Sequence, residues 1–111
     1  MKKKFIVKYA RDFENIIKTG NCKKNRYFVI HYKKNNLPYD KFGISVSKKL
    51  GNAVFRNKYK RKIRTIVDNY KKEYLNNKDY IIILRKEALS RSFKDLNQEF
   101  LNIMSKNKKG N

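Results

Sequence analysis

Residues 52–84 read NAVFRNKYKRKIRTIVDNYKKEYLNNKDYIIIL, and the change of period inside them decides the fold. Phe55, Tyr59, Ile63, Ile66, Tyr70 and Tyr74 are spaced 4, 4, 3, 4 and 4, which lays one apolar stripe along a helix. Asn52, after Gly51, stands where an N-cap belongs. The run Asp79-Tyr80-Ile81-Ile82-Ile83-Leu84 then stays apolar for the length of a strand. A strand of that kind is covered on both faces and belongs at the centre of its sheet.

Toward the N-terminus, residues 41–47 alternate: Phe42, Ile44 and Val46 are expected inward, and Gly43, Ser45 and Ser47 on a small, polar, half-open outer face. Because a helix joins this strand to the one at Ile81, the two are candidates for parallel neighbours through a crossover. From Tyr27 the period is again two, with Phe28, Ile30 and Tyr32 on one side and Tyr27, Val29, His31 and Lys33 on the other, ended by the turn Lys34-Asn35-Asn36-Leu37-Pro38. Asp12-Phe13-Glu14-Asn15-Ile16-Ile17 predicts a short amphipathic helix that Gly20 stops. At the other end Ser92 precedes Phe93, Leu96, Phe100, Ile103 and Met104 at helical spacing, with Asp95 placed as in a capping box. Residues 106–111 are expected to fray. The order of helix, strands, long helix, strand and helix makes an α+β sandwich of two layers, one domain over residues 1–111 with no linker or repeat.

Thirty Lys and Arg against nine Asp and Glu leave a net charge of +21, and such a cation seeks a polyanion rather than a small neutral metabolite. Aromatic residues, 14% of the chain, compensate for a hydrophobic content of only 40%, so the chain is expected to fold rather than to act as a basic tail. One cysteine, Cys22, forms no internal disulfide and reads as inert in a reducing compartment. A single histidine, His31, leaves too few ligands for a His/Cys metal cage and too few partners for a Ser-His-Asp triad. We therefore expect no catalytic residue and no metal site in the chain. The apolar run after Met1-Lys2-Lys3-Lys4 is too short for a signal peptide, and none is long enough to span a membrane, so the expected location is the cytoplasm.

The positive charge is concentrated. Between Glu14 and Asp68 the only acid is Asp40, among fifteen Lys or Arg. On the long helix, Arg56, Asn57, Lys60, Arg61 and Arg64 fall within an arc of about 140° and about 12 Å of axis, beside the apolar stripe. A basic helix face is often merely solvated. Here, however, three of the seven arginines lie within residues 56–64, and no Glu stands at i+4 to pair with any of them. Arg forks and Lys point charges suit phosphates, and Asn suits a 2′-hydroxyl or a base edge.

The segment Phe42-Gly43-Ile44-Ser45-Val46-Ser47-Lys48-Lys49-Leu50-Gly51-Asn52-Ala53-Val54, followed by Arg56-Asn57-x-x-Lys60-Arg61-x-x-Arg64, closely resembles the signature of the bacterial ribonuclease P protein subunit. Asp12-Phe13 with Gly20, Asn25-Arg26 and Asp79-Tyr80-Ile81-Ile82-Ile83 extend the resemblance over nearly the whole chain. It implies an αβββαβα sandwich with a left-handed strand-helix-strand crossover, against the usual rule. It also implies two partners, a large catalytic RNA and precursor tRNA, with no obligate protein partner and no membrane. The RNA, with magnesium held mainly by it, would remove the 5′ leader, and the protein would bind that leader in a cleft beside the sheet. By the same resemblance Arg56, Asn57, Lys60, Arg61 and Arg64 match the RNA-binding helix, Lys48 and Lys49 basic residues at its rim, and Phe13 a cleft aromatic. The sequence departs from the pattern at Lys58, where Arg is usual, and at His31, a cleft position often held by Tyr; an imidazole can still stack or donate there.

Without the resemblance Phe13 reads first as a core residue and His31 as an ordinary strand residue. The rival reading is a ribosomal or other structural RNA-binding protein. A zipper-type DNA-binding helix is excluded, because heptad leucines do not follow the basic region and a strand does.

Overall fold

The computed structural model describes residues 2–71 and 76–109, and side chains as far as Ser105; Tyr74 of the predicted stripe and residues 110–111 lie outside the described residues. The elements are α1 (Ala10–Thr19), β1 (Asn21–Lys24), β2 (Phe28–Lys34), β3 (Lys41–Ser45), α2 (Ala53–Lys71), β4 (Lys78–Leu84) and α3 (Phe93–Lys109), with short 3-10 turns at Lys3–Phe5, Lys48–Leu50 and Lys86–Ser90. The four strands form one sheet in the order β1-β2-β4-β3. β4 pairs antiparallel with β2 and parallel with β3, so that Ile81 stands between His31 and Gly43. The unbroken apolar run is thus central, and α2 is the crossover that makes the parallel pair.

Paired residues share a face. Phe28, Ile30, Phe42, Tyr80, Ile82 and Leu84 point to one side and meet Tyr59, Ile63, Ile66 and Val67 of α2 with Leu96, Phe100 and Ile103 of α3. Phe100 sits at the centre of this core, edge-on to Phe28 at 5.9 Å and to Tyr70 at 5.5 Å, while Phe42 stacks on Tyr80 at 5.1 Å. Each such pair adds about 0.5–1.5 kcal/mol beyond burial. Asn52 and Ser92 act as the predicted N-caps, accepting from the N–H of Phe55 at 2.9 Å and of Asp95 at 3.1 Å. Gly20 caps the end of α1, its N–H donating to the Ile16 carbonyl at 2.9 Å, and the position takes a glycine because a Cβ there would collide with the Tyr32 carbonyl oxygen.

Asp40 is the buried charged residue among those described. Its carboxylate accepts from the N–H of Lys78 at 2.8 Å and of Asn76 at 3.2 Å, fastening the segment before β4 to the segment before β3. Beside it the Asn76 side-chain amide donates to the hydroxyls of Tyr70 and Tyr80, both at 3.0 Å. Burial first, then Tyr70 and Asp40, pushes the Tyr80 hydroxyl well above its ordinary range, so it stays protonated. Asn77 takes the left-handed conformation, φ 55°, which asparagine tolerates better than most residues.

The opposite face carries a smaller cluster, Val7, Ile16 and Ile81 with Phe13 and Ile83 around it, and α1 is the helix that covers it. The N-terminal segment lies along β3, where the Val7 N–H donates to the Phe42 carbonyl at 2.9 Å. Here the structure corrects one expectation. Gly43 is not on an open outer face but buried beneath the Phe13 ring. The ladder of β3 ends at Ser45, yet Val46 still points into the core and Ser47 outward, as expected, where Ser47 accepts from the Lys49 N–H at 3.2 Å and starts a 3-10 turn. Two members of the predicted apolar faces, Ile17 and Phe93, are about 40% exposed because each lies at the margin of its helix's buried stripe.

Candidate nucleic-acid interface

The stripe of α2 fixes where its basic residues point. With Tyr59, Ile63 and Ile66 buried, Asn57, Arg61 and Arg64 are exposed, while Arg56 and Lys60 lie half-buried on the flank. Asp68 is the single acid on α2. The Nε of Arg56 is buried and has no hydrogen-bond partner among the described residues, an open donor at the edge of this face. Lys48 and Lys49 stand exposed on the turn between β3 and α2, at the rim.

Between the N-terminal segment, α1, β3 and α2 runs a groove of about 230 Å³, whose walls include Lys8, Phe13, Gly43, Lys60 and Arg64. Gly43 makes it possible. A Cβ at this position would come within 2.6 Å of Phe13 Cζ and 3.0 Å of Ile81 Cδ1, so the absence of a side chain lets the ring lie against the strand. Phe13 therefore does two things at once, packing against the Val7, Ile16 and Ile81 cluster and walling the groove.

The predicted residues are not all gathered in one place. Phe13, Lys60 and Arg64 meet at the groove, whereas His31 stands on the same sheet face with β4 between it and Gly43, roughly 10 Å away by strand spacing. Its Nδ1 is buried without a partner among the described residues. Lys8 escaped the sequence reading because a single bridge, Ile6 to Phe42, imposes no alternation on the segment that carries it. A second opening of about 210 Å³ on the other side of α1 mixes signs, with Asp12 and Asp79 facing Lys33 and Lys41, and does not look like a polyanion site. Among the described residues no three His, Cys, Asp or Glu side chains converge, and no helix is long and apolar enough to cross a membrane.

The sequence model of the family described as Ribonuclease P matches residues 1–108. The ribonuclease P protein component of Streptococcus pneumoniae (strain Hungary19A-6) is 39% identical over 108 residues, spanning 97% of this chain and 88% of that protein. Among solved structures, a Staphylococcus aureus RNase P protein mutant with defective mRNA degradation activity superposes with a TM-score of 0.88 at 37% identity, over 96% of this chain and 90% of that one. The Thermotoga maritima RNase P protein gives 0.81 at 34% identity, over 86% and 91%.

Fold and relatives together define a class first, the protein parts of a ribonucleoprotein endonuclease that processes tRNA. The chain belongs to the ribonuclease P protein family, a component of an endoribonuclease complex that includes an RNA partner. That membership decides against the ribosomal alternative.

Proposed function

We propose that this chain binds the ribonuclease P RNA along α2 through Arg56, Asn57, Lys60, Arg61 and Arg64, with Lys48 and Lys49 at the rim, and holds the 5′ leader of precursor tRNA against Phe13, Lys60 and Arg64 being shared between the two RNAs where α2 borders the groove. The observation that carries the reading is the groove, which sets an aromatic ring and the cations of Lys60 and Arg64 around one opening. A single-stranded leader needs that combination, a base stacked on the ring and phosphates on the cations. His31, set apart on the same sheet face, is placed to meet a leader nucleotide further along rather than at the Phe13 position. In this reading cleavage itself falls to the RNA, with magnesium held mainly by it. The protein contributes affinity and position, and its +21 charge offsets the repulsion between two RNAs. The proposed setting is the cytoplasm.

Reconstitution tests this. The chain alone is expected to cleave nothing; added to a bacterial ribonuclease P RNA, it lowers the magnesium needed for leader removal. Phe13→Ala should cut affinity for precursor tRNA by about 1–3 kcal/mol relative to mature tRNA and leave binding to the RNA subunit nearly intact. Equal losses for leader-bearing and leaderless tRNA would return Phe13 to a purely structural part.

A further inference from the structure

Three of the seven arginines are on α2; of the others, Arg85 and Arg91 bond to Asn25 and Tyr27, the chain neighbours of a third, Arg26, at the corner where the turn between β1 and β2 reaches the end of β4. The corner is built rather than incidental. Asn25 Oδ1 shapes the turn by accepting from the N–H groups of Tyr27 at 2.9 Å and Phe28 at 2.8 Å. Arg85 is fixed at both ends, its backbone N–H on the Tyr27 carbonyl at 2.9 Å and its Nη1 on the Asn25 carbonyl at 3.0 Å. Arg91 donates through Nη2 to the Tyr27 hydroxyl at 2.6 Å, with its guanidinium 5.0 Å from the ring of that buried tyrosine. All three arginines are exposed, as are Lys24 and Lys86 beside them.

One of the five donors of Arg85 and one of Arg91 are spent on the protein's own acceptors, which orient the guanidiniums and leave their remaining N–H groups to solvent. Among the described residues the carboxylate that pairs with them is Asp95, 4.0 Å from Arg91 on an exposed helix turn, where an ion pair is worth little. Oriented cations held together against their own repulsion raise the local potential and suit a polyanion better than solvent. The corner also adjoins the α2 face. Ser45 pairs with Ile83, two residues before Arg85, and the Tyr59 hydroxyl of α2 donates to the Leu89 carbonyl at 3.2 Å.

We infer that Arg26, Arg85 and Arg91 form a second phosphate-contacting surface, continuous with the start of α2, for the backbone of the RNA subunit. The inference rests on the ribonucleoprotein reading above. The RNA subunit is favoured over precursor tRNA because the corner lies beyond the end of β4, four residues past Ile81, whereas the Phe13 ring lies against Gly43, the partner of Ile81 in the middle of β3.

The test compares Arg26→Gln and Arg85→Gln, singly and together, with Lys18→Gln, an exposed charge on α1 that controls for net charge alone. Affinity for a bacterial ribonuclease P RNA is titrated over a series of KCl concentrations, with Arg61→Ala alongside and melting temperatures recorded. Each corner variant should weaken binding several-fold and flatten the log-log salt slope by about 0.7 to 0.9 for each phosphate lost. Lys18→Gln should change neither, and the preference for precursor over mature tRNA should persist. Unchanged slopes, an equal effect of Lys18→Gln, or a loss confined to precursor tRNA would overturn the inference. Should Arg85→Gln fail to fold, Arg26→Gln decides alone. A loss with Arg61→Ala but none at the corner removes only this inference; no loss with either removes the α2 face as well.

Discussion

The two faces of the sheet are built from the same four strands and end in opposite states. One is sealed by two long helices around fully buried Phe28, Tyr80 and Phe100; the other is crossed by the ten residues of α1 and keeps a groove open beside Phe13. The difference teaches that helix length sets how much of a sheet face stays open here. A short helix covers part of a sheet and leaves apolar, ring-lined ground exposed beside it, whereas a long one consumes it.

The strongest way to break this contrast is Phe100→Ala. At 0% exposure and in contact with both Phe28 and Tyr70, it should lose about 3–5 kcal/mol, read as a fall in the denaturation midpoint, with RNA binding lost only where the protein unfolds. A loss below that of an α1-face variant would reverse the ranking of the faces. Next comes Gly43→Ala, whose Cβ must displace the Phe13 ring. The expected cost is about 1–3 kcal/mol, together with a loss of leader-dependent affinity that the core variant does not show while folded. If stability fell and leader preference survived, the ring's position would be irrelevant to binding.

The smallest effect sharpens the picture of the sealed face, which carries one misfit at its margin. Lys23 faces the core side of β1 with its Nζ buried and without a hydrogen-bond partner among the described residues, 5.2 Å from the Tyr32 ring that Lys78 also approaches at 5.1 Å. Burial first, and Lys78 second, lowers its pKa from 10.5 to about 8. A lysine that binds its proton less tightly when folded destabilises the protein fully below pH 8, and the penalty fades between about 8 and 10.5 as the unfolded state alone remains protonated. Lys23→Met should therefore raise the melting temperature slightly at pH 7, and the gain should shrink across that window. A gain that stayed constant with pH would assign it to packing alone.

How much of this was written in the sequence differs by face in the same way. The stripe from Phe55 to Tyr70, the Asn52 cap and the central place of Ile81 were legible because period and length depend on local geometry. Gly43 was not, since its alternation reads as an outer face whether or not a helix lies over it, and only the tertiary position of Phe13 closes it. Helical spacing alone sets Arg56, Asn57, Lys60, Arg61 and Arg64 beside the apolar stripe of α2, but the approach of Lys60 and Arg64 to Phe13 depends on the crossover that brings α2 past β3. Asp40 was visible as a lone acid; its role as a clasp on the N–H groups of Asn76 and Lys78 depends on residues more than thirty positions away.

The central place of β4 also has a consequence for the order in which the molecule comes into being. β2 and β3 follow one another in the chain yet share no ladder, because β4, the last of the four to be synthesised, lies between them. Until Leu84 has been made, the sheet consists of one hairpin and one unpaired strand, and the helix between β3 and β4 has no complete surface to bury its stripe on. Pairing across such a distance carries the loop-closure cost that makes non-local topologies slow. A growing chain thus exposes its most basic stretch before it has a fold to display it on, and the arginines of α2 acquire their spacing only when the final strand arrives.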